Sequence, residues 1–448
     1  MILADITPTL LQRLLFGAVP GPLVNVLYSL ALIATVYTAG IGMIALLGIY
    51  AERKVAGHIQ SRFGPNRVGP IGLLQSIADG IKLITKEDLR PAAADRVLFV
   101  LAPYLAFAPV FASFLAIPFA PDAVFESHLS VGIFWILAIL SMEVIGIILA
   151  GWASNSKWSL YGGMRQACQM VCFEIPLGLS IIVGVMAAGT LDLIVLGHRQ
   201  GGGLHTWLIF ANPFMPLAFL AYFVASLASN KRAPFDLPES ESELVAGYHT
   251  EYSGLRFSFF YFAEYAAMFV VAAIQVAMFL GAWNDPLGLF GFYYAHFKAQ
   301  DNLAALLIMN GIGMAIFIGK VMILIFVQMW IRWTLPRPRI DQVLYASIKV
   351  LLPMTCLLLL GAALWGLMIS GMPGQPWSPV PGLPDQAFNP WRWGHWRTTG
   401  TVGALVTQSV LAAMGAVFFL LIIGYIARAW WTGRSVRQRL TEPEPIPD

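Results

Sequence analysis

Asn230-Lys-Arg-Ala-Pro-Phe-Asp-Leu-Pro-Glu-Ser-Glu-Ser-Glu-Leu-Val-Ala-Gly-Tyr-His-Thr-Glu251 is a polar segment between two apolar runs, 213–229 and 257–283. It carries Asp236, Glu239, Glu241, Glu243 and Glu251, in a chain of 448 residues that has only 24 acids and is 58% hydrophobic. Pro234 and Pro238 predict a turn, and a helix can start near Glu239. Capping and the helix dipole favour acids in a first helical turn, which accounts for one or two of them. At helical spacing Glu239 and Glu243 share a face, where like charges repel. Carboxylates kept together beside a membrane point to proton storage or cation attraction.

The flanks of that segment set the class. Apolar runs near the roughly 20 residues needed to cross a bilayer occur at 23–50, 97–120, 130–153, 166–190, 213–229, 257–283, 304–331, 343–371 and 403–430. Mean hydropathy is +0.72 and only 11% of residues are charged, which excludes a soluble domain of this length. The expectation is an all-α polytopic membrane protein, with 14 Trp and 14 Tyr for its interfacial belts. A net charge of +3 gives no footprint of a nucleic-acid binder. Cys168 and Cys172, one helical turn apart, are too few for zinc or an iron–sulfur cluster and read as packing. The N-terminus lacks the basic region of a cleaved signal peptide. No glycine-rich phosphate loop or dinucleotide fingerprint occurs, and no Ser–His or Cys–His pair suggests a catalytic site in this chain.

Basic residues predict the orientation. Arg53, Lys54, Arg62, Arg67, Lys82, Lys86, Arg90 and Arg96 follow the first run. Lys157, Arg165, Lys231, Arg232, Arg256, Arg332, Arg337, Arg339 and Lys349 follow the third, fifth and seventh, and Arg428, Arg434, Arg437 and Arg439 lie in the tail. The other side holds Arg13, Arg199, Lys298, Arg392 and Arg397, while Lys320 lies inside a run. The bias puts the N-terminus outside, the C-terminus in the cytoplasm and the acid-rich stretch on the cytoplasmic side.

From Gly69 to Asp88, Ile71, Leu74, Ile77, Ile81 and Ile84 recur every three or four positions, with Gln75, Asp79, Lys82 and Lys86 opposite. This predicts an amphipathic helix on the membrane surface, where simple anchoring is the plain alternative to function. Residues 372–402 should form an external Pro- and Trp-rich loop, and 431–448 a cytoplasmic tail. No internal repeat suggests an inverted-repeat transporter.

Charges within the spans are Glu143, Glu174, Glu264 and Lys320, with Glu52 and Arg53 at the cytoplasmic end of the first. Such charges are costly and usually functional. Glu52 and Arg53 also fit an interfacial ion pair. Glu174 precedes Ile175-Pro176, where a loosened helix allows a hydrated pocket. Lys320 fits either a structural partner of one acid or a proton relay, and Glu143 has no partner in view.

Several motifs together resemble the membrane "H" subunit of respiratory complex I, whose mitochondrial form is known as subunit 1. They are Glu52-Arg53-Lys54; Gln60-Ser61-Arg62-Phe63-Gly64-Pro65-Asn66; Gly69-Pro70-Ile71-Gly72-Leu73-Leu74-Gln75; and Ala78-Asp79-Gly80-Ile81-Lys82-Leu83. Gly151 to Lys157, Arg232 to Glu239, Glu251-Tyr252-Ser253-Gly254 and Leu335 to Gln342 match as well. The likeness covers roughly Leu23 to Gly371. It implies an eight-span core at 23–371, preceded by an external segment at 1–22. The ninth run, 403–430, is an extra transmembrane helix, and the loop from Trp283 to Ala305 is longer than usual.

The resemblance also implies a role in proton-translocating NADH:quinone oxidoreductase of the bacterial inner membrane. The chain would form much of a tunnel for quinone, with ubiquinone the expected form, and would contact other membrane subunits and the hydrophilic arm. It would hold no flavin, iron–sulfur cluster or metal. Residue by residue, it assigns Arg53, Arg62, Asp79 and Lys82 to the quinone entrance and chamber. It assigns Glu52, Glu174, Asp236, Glu239, Glu241, Glu243, Glu251, Glu264 and Lys320 to a proton-coupling path. The alternatives are the related membrane component of an energy-converting hydrogenase or formate hydrogenlyase, and an autonomous ion transporter.

Overall fold

A computed structural model describes residues 38–122, 129–300 and 303–370. The segment 1–22, the start of the first run, the loop 372–402, the run 403–430 and the tail 431–448 lie outside these. Among the described residues every regular element is helical. In chain order these are α1 Thr38–Ile59, α2 Gln75–Thr85, α3 Arg96–Ser113, α4 Gly132–Ala153, α5 Lys157–Ala188, α6 Leu193–Arg199 and α7 Met215–Ser229. Then follow α8 Glu241–Leu244, α9 Gly254–Phe279, α10 Leu289–Ala299, α11 Leu303–Thr334, α12 Ile340–Tyr345 and α13 Leu352–Ser370. A π-helical turn, Ala346–Leu351, joins the last two. Six of these segments are long and apolar enough to cross a membrane, and α7 is a shorter apolar helix. The chain is an all-α, multi-pass membrane protein.

Helix starts follow local chemistry. The Asp95 carboxylate accepts from the backbone N–H groups of Val97 and Leu98 at 2.9 and 3.0 Å, which caps α3. Asp192 does the same for α6. Pro103 and Pro109 lie inside α3 and Pro176 inside α5, as membrane helices allow when neighbours satisfy the backbone. α5 begins at Lys157, well before the expected 166. At 32 residues it runs about 48 Å, longer than the roughly 30 Å hydrocarbon core, so its first turns reach the acid-rich loop.

The bundle is built around α9, which is buried on nearly all sides. Its small residues Ala263, Ala266, Ala267, Ala272, Ala273 and Ala277 are all nearly inaccessible and let neighbouring backbones approach. α1, α3, α6, α7 and α11 pack on it. α3 and α4 pack tightly at Gly146, where a Cβ would fall 2.4 Å from the Ala106 nitrogen. At Gly162 a Cβ would fall 2.5 Å from the Tyr248 nitrogen, so the acid-rich loop can lie directly on α5.

The expected surface helix exists, as a 3-10 turn at Pro70–Gly72 followed by α2. Ile77, Ile81 and Ile84 remain 46%, 57% and 67% exposed, while Asp79 turns inward to Arg53. An apolar stripe facing away from the protein suits a lipid surface. The helix expected near Glu239 is only the four-residue α8 at Glu241–Leu244. α6 and α10, at the opposite end of the bundle, had no counterpart among the expected elements.

Candidate functional site

The loop after α7 folds back onto the bundle and carries its charges inward. Lys231 and Arg232, read from the sequence as cytoplasmic-side markers of orientation, are each only 3% exposed. The reason is that carboxylates from three helices meet them. Arg232 Nη1 donates to Glu52 Oε2 of α1 at 2.8 Å, and its Nε faces Glu264 Oε1 of α9 at 2.9 Å. Lys231 Nζ donates to Glu143 Oε1 of α4 at 2.6 Å. Glu143 therefore has the partner that the sequence did not reveal.

Glu52 is the most densely bonded acid of this cluster. The Tyr265 hydroxyl donates to its Oε2 at 2.5 Å, and Arg332 of α11 donates to its other oxygen. It does not pair with its neighbour Arg53, which bonds Asp79 instead. Successive residues of a helix point about 100° apart, so Glu52 faces the bundle and Arg53 faces α2. The Arg232 guanidinium also stacks 4.3 Å from the Tyr265 ring centre. Burying each ion costs several kcal/mol, and only this density of cations and donors offsets it.

The loop acids form the next layer. Asp236 Oδ2 accepts from Arg337 Nη2 at 3.0 Å, and Arg337 also donates to Ser240. Burial, with Glu239 adding to it, pushes the Asp236 carboxyl up to about 8 against the opposing charge of Arg337. Glu239 accepts from the buried Tyr248 hydroxyl at 2.9 Å. Glu243 is exposed and pairs with Arg165 of α5 at 2.5 Å. Glu241 opens α8, and its side chain lies outside the described residues.

Against this network lies a cavity of about 870 Å³. Its wall includes Glu52, Arg53, Arg62, Tyr261, Tyr265 and Arg332. Phe63, Arg67, Gln75 and Trp333 complete its aromatic and basic surface. The volume falls in the usual range for a small-molecule site. Arginine donors match carbonyl oxygens, and Tyr, Phe and Trp faces match a planar ring. A second, more open cavity of about 720 Å³ is lined by Ala233, Glu243, Arg332, Leu335, Arg337 and Arg339. Arg332 belongs to both.

The structure thus gathers Glu52, Asp236, Glu239 and Glu264 into one cluster beside Arg53 and Arg62, with Asp79 behind Arg53. It leaves other assigned residues elsewhere. Lys82 is exposed on α2 and does not line the cavity. Glu174 is exposed on α5, and neither it nor the half-buried Glu251 joins an ion pair found among the described residues. Lys320 bonds three carbonyls, those of Leu280, Ala282 and Asn284, at 2.6, 3.0 and 2.6 Å. Its ammonium lies 4.2 Å from the Trp207 ring centre. Leu280 is the C-cap of α9 and Ala282 and Asn284 lie in the loop that follows it, so Lys320 caps the helix end and holds that loop. Twelve residues separate it from Arg332, about 18 Å along α11, so it is remote from the cluster. Among the described residues no group of His, Cys, Asp and Glu is arranged to hold a metal ion.

Arg232, Arg332, Lys231, Tyr248 and Tyr265 were absent from the sequence-derived site. The available signal was a pair of cations directly after a span and directly before a turn of acids. That pattern suits a re-entering loop as well as a solvated one.

The family profile described as NADH dehydrogenase matches residues 31–363. The H subunit of NADH-quinone oxidoreductase from Chlorobium luteolum is 44% identical over 345 residues, covering 76% of this chain and 90% of that protein. Its counterpart from Anaeromyxobacter dehalogenans is 41% identical, covering 78% and 84%. The counterpart numbered 2 from Cytophaga hutchinsonii is 42% identical, covering 72% and 94%.

Proposed function

The chain belongs to the NADH dehydrogenase family, that of the NADH-quinone oxidoreductase H subunits, and we propose that within that complex it receives quinone and passes the effect of its reduction to membrane carboxylates. The cavity of about 870 Å³ is the quinone chamber, and the apolar face of α2 guides the tail in from lipid. Arg53 and Arg62 attract and orient the headgroup carbonyls, with Asp79 fixing Arg53. Other subunits of the complex pack around this chain. A hydrophilic-arm neighbour supplies the electrons and caps the basic loops from the cytoplasmic side.

The observation that carries the reading is the path Arg332–Glu52–Arg232–Glu264. Its first two members line the cavity and its last two are buried. When reduced quinone draws protons, or carries charge as they arrive, the charge beside Glu52 and Arg332 changes. Ion pairs in low dielectric respond strongly to such a change. The acids titrate as a coupled set, so protons move within the set rather than on one residue.

A photoreactive quinone added to the assembled complex tests the chamber. The label should fall within Arg53–Arg67 or on Tyr261, Tyr265 or Trp333, and excess quinone should compete it away. Competable labelling confined to other subunits would overturn the reading.

A further inference from the structure

Glu143 and Lys231 form an ion pair outside the cavity wall, and the path just described does not use it. Their side chains are 10% and 3% exposed, at a separation of 2.6 Å. The pair ties α4 to the loop after α7 across 88 residues of sequence. Lys231 Nζ also lies 6.0 Å from the centre of the Tyr248 ring, and the Tyr248 hydroxyl holds Glu239. One ammonium therefore stands between a carboxylate on a membrane span and a carboxylate of the acid loop.

We propose that Lys231 is a positioning residue through which Glu239 sets the protonation of Glu143, making Glu143 a further proton-binding carboxylate of this chain. The inference rests on the coupling reading proposed above and on the family resemblance that assigns the loop acids to it.

Burial pulls the Lys231 ammonium down, but Glu143, Glu239 and Glu264 outweigh it and hold it above the ordinary lysine value. Lys231 therefore keeps its protons and acts as a fixed charge on a flexible stem. When Glu239 becomes ionised, the ammonium is drawn toward it. Glu143 then loses its cation in a buried site, and its proton affinity rises. It takes up one proton. When Glu239 is neutralised, Lys231 returns and that proton leaves. Two O–H bonds change: that of Glu239 breaks as it ionises and re-forms as it is neutralised, and that of Glu143 does the reverse. Stability alone does not require the pair, because well-packed neutral residues commonly replace buried ion pairs without loss.

That last point supplies the test. Lys231→Met, Glu143→Gln and the double variant are compared in the assembled complex, with Glu239→Gln in parallel. Reductase rate and protons pumped per electron are read per flavin. Lys231→Met alone should deplete the complex, because it leaves buried acids uncompensated. The double variant should restore assembly yet turn over about tenfold more slowly, a barrier increase of about 1.4 kcal/mol, and pump fewer protons per electron. If it assembles and pumps normally while Glu239→Gln is impaired, the inference fails and the coupling role stands. If Glu239→Gln is normal too, both fail. Should the double variant not assemble, Glu143→Gln is read the same way, since its amide still accepts from Lys231 without a charge. Failure of both to assemble makes the pair structural and overturns the inference.

Discussion

Arg232 Nη1 stands 2.8 Å from Glu52 Oε2, between side chains that are 3% and 7% exposed. The contact bridges 180 residues of sequence and sets a loop cation into the wall behind the cavity. It makes the acid-rich loop part of the bundle.

Arg232→Gln should therefore be severe. Removing one partner of a buried ion pair costs about 3–5 kcal/mol, and here Glu264 loses its ion-pair partner and Glu52 one of its two. Glu52 keeps Arg332, so Glu264 is the acid left bare; the expected outcome is little assembled complex on a native gel, with partial recovery when Glu264→Gln is added. No recovery on that second change would mean that Glu264 is not the acid left uncompensated.

Arg62 lines the cavity, whereas Lys82 is exposed on α2 and away from it. Arg62→Ala is expected to raise the KM for quinone about five- to tenfold, a loss of about 1–1.4 kcal/mol, with little change for NADH. Lys82→Ala should leave both constants near wild type. Steady-state kinetics with a short-tailed quinone checks this, and equal effects of Arg62→Ala on both substrates would argue for a structural arginine.

Asp236 gives a pH prediction. Its carboxyl is raised from an ordinary 3.8 to about 8, so the folded chain holds a proton there that the unfolded chain has released. A raised folded value contributes stability at low pH, and that stability is lost as pH rises through about 8. Asp236→Asn is neutral throughout and should lack this loss. Melting temperatures of the assembled complex between about pH 7 and 9 should fall less for the variant. Parallel curves would show that Asp236 is ionised across the range.

Lys320 holds the carbonyl of the α9 C-cap, Leu280, and those of Ala282 and Asn284 in the loop after it. Lys320→Met leaves these acceptors unpaired, at about 1–3 kcal/mol for each buried group that finds no other donor. We expect a lower melting temperature and an unchanged proton-to-electron ratio in the complex that still assembles. A reduced ratio at unchanged stability would place Lys320 in the proton path instead.

The apolar runs, the outward-facing stripe of Ile77, Ile81 and Ile84, and the density of acids after α7 were all legible in the amino-acid sequence. Each is a local property. Hydrophobicity over about 20 residues decides membrane insertion, and periodicity over a few turns decides which face of a helix is apolar. The family likeness was legible for the same reason, through contiguous motifs.

Partner choice was not legible. The sequence set Glu52 beside Arg53, left Glu143 alone, and counted Lys231 and Arg232 only among the basic residues of the cytoplasmic side. Folding pairs Glu52 with Arg232 and Arg332, 180 and 280 positions away, and Glu143 with Lys231, 88 away. It also turns Lys320 toward the end of α9. A charge in low dielectric must find a counter-charge or a set of dipoles, and which one it finds depends on which helices pack together. Composition could therefore mark these residues as costly, while only the tertiary arrangement around α9 decided what compensates each of them.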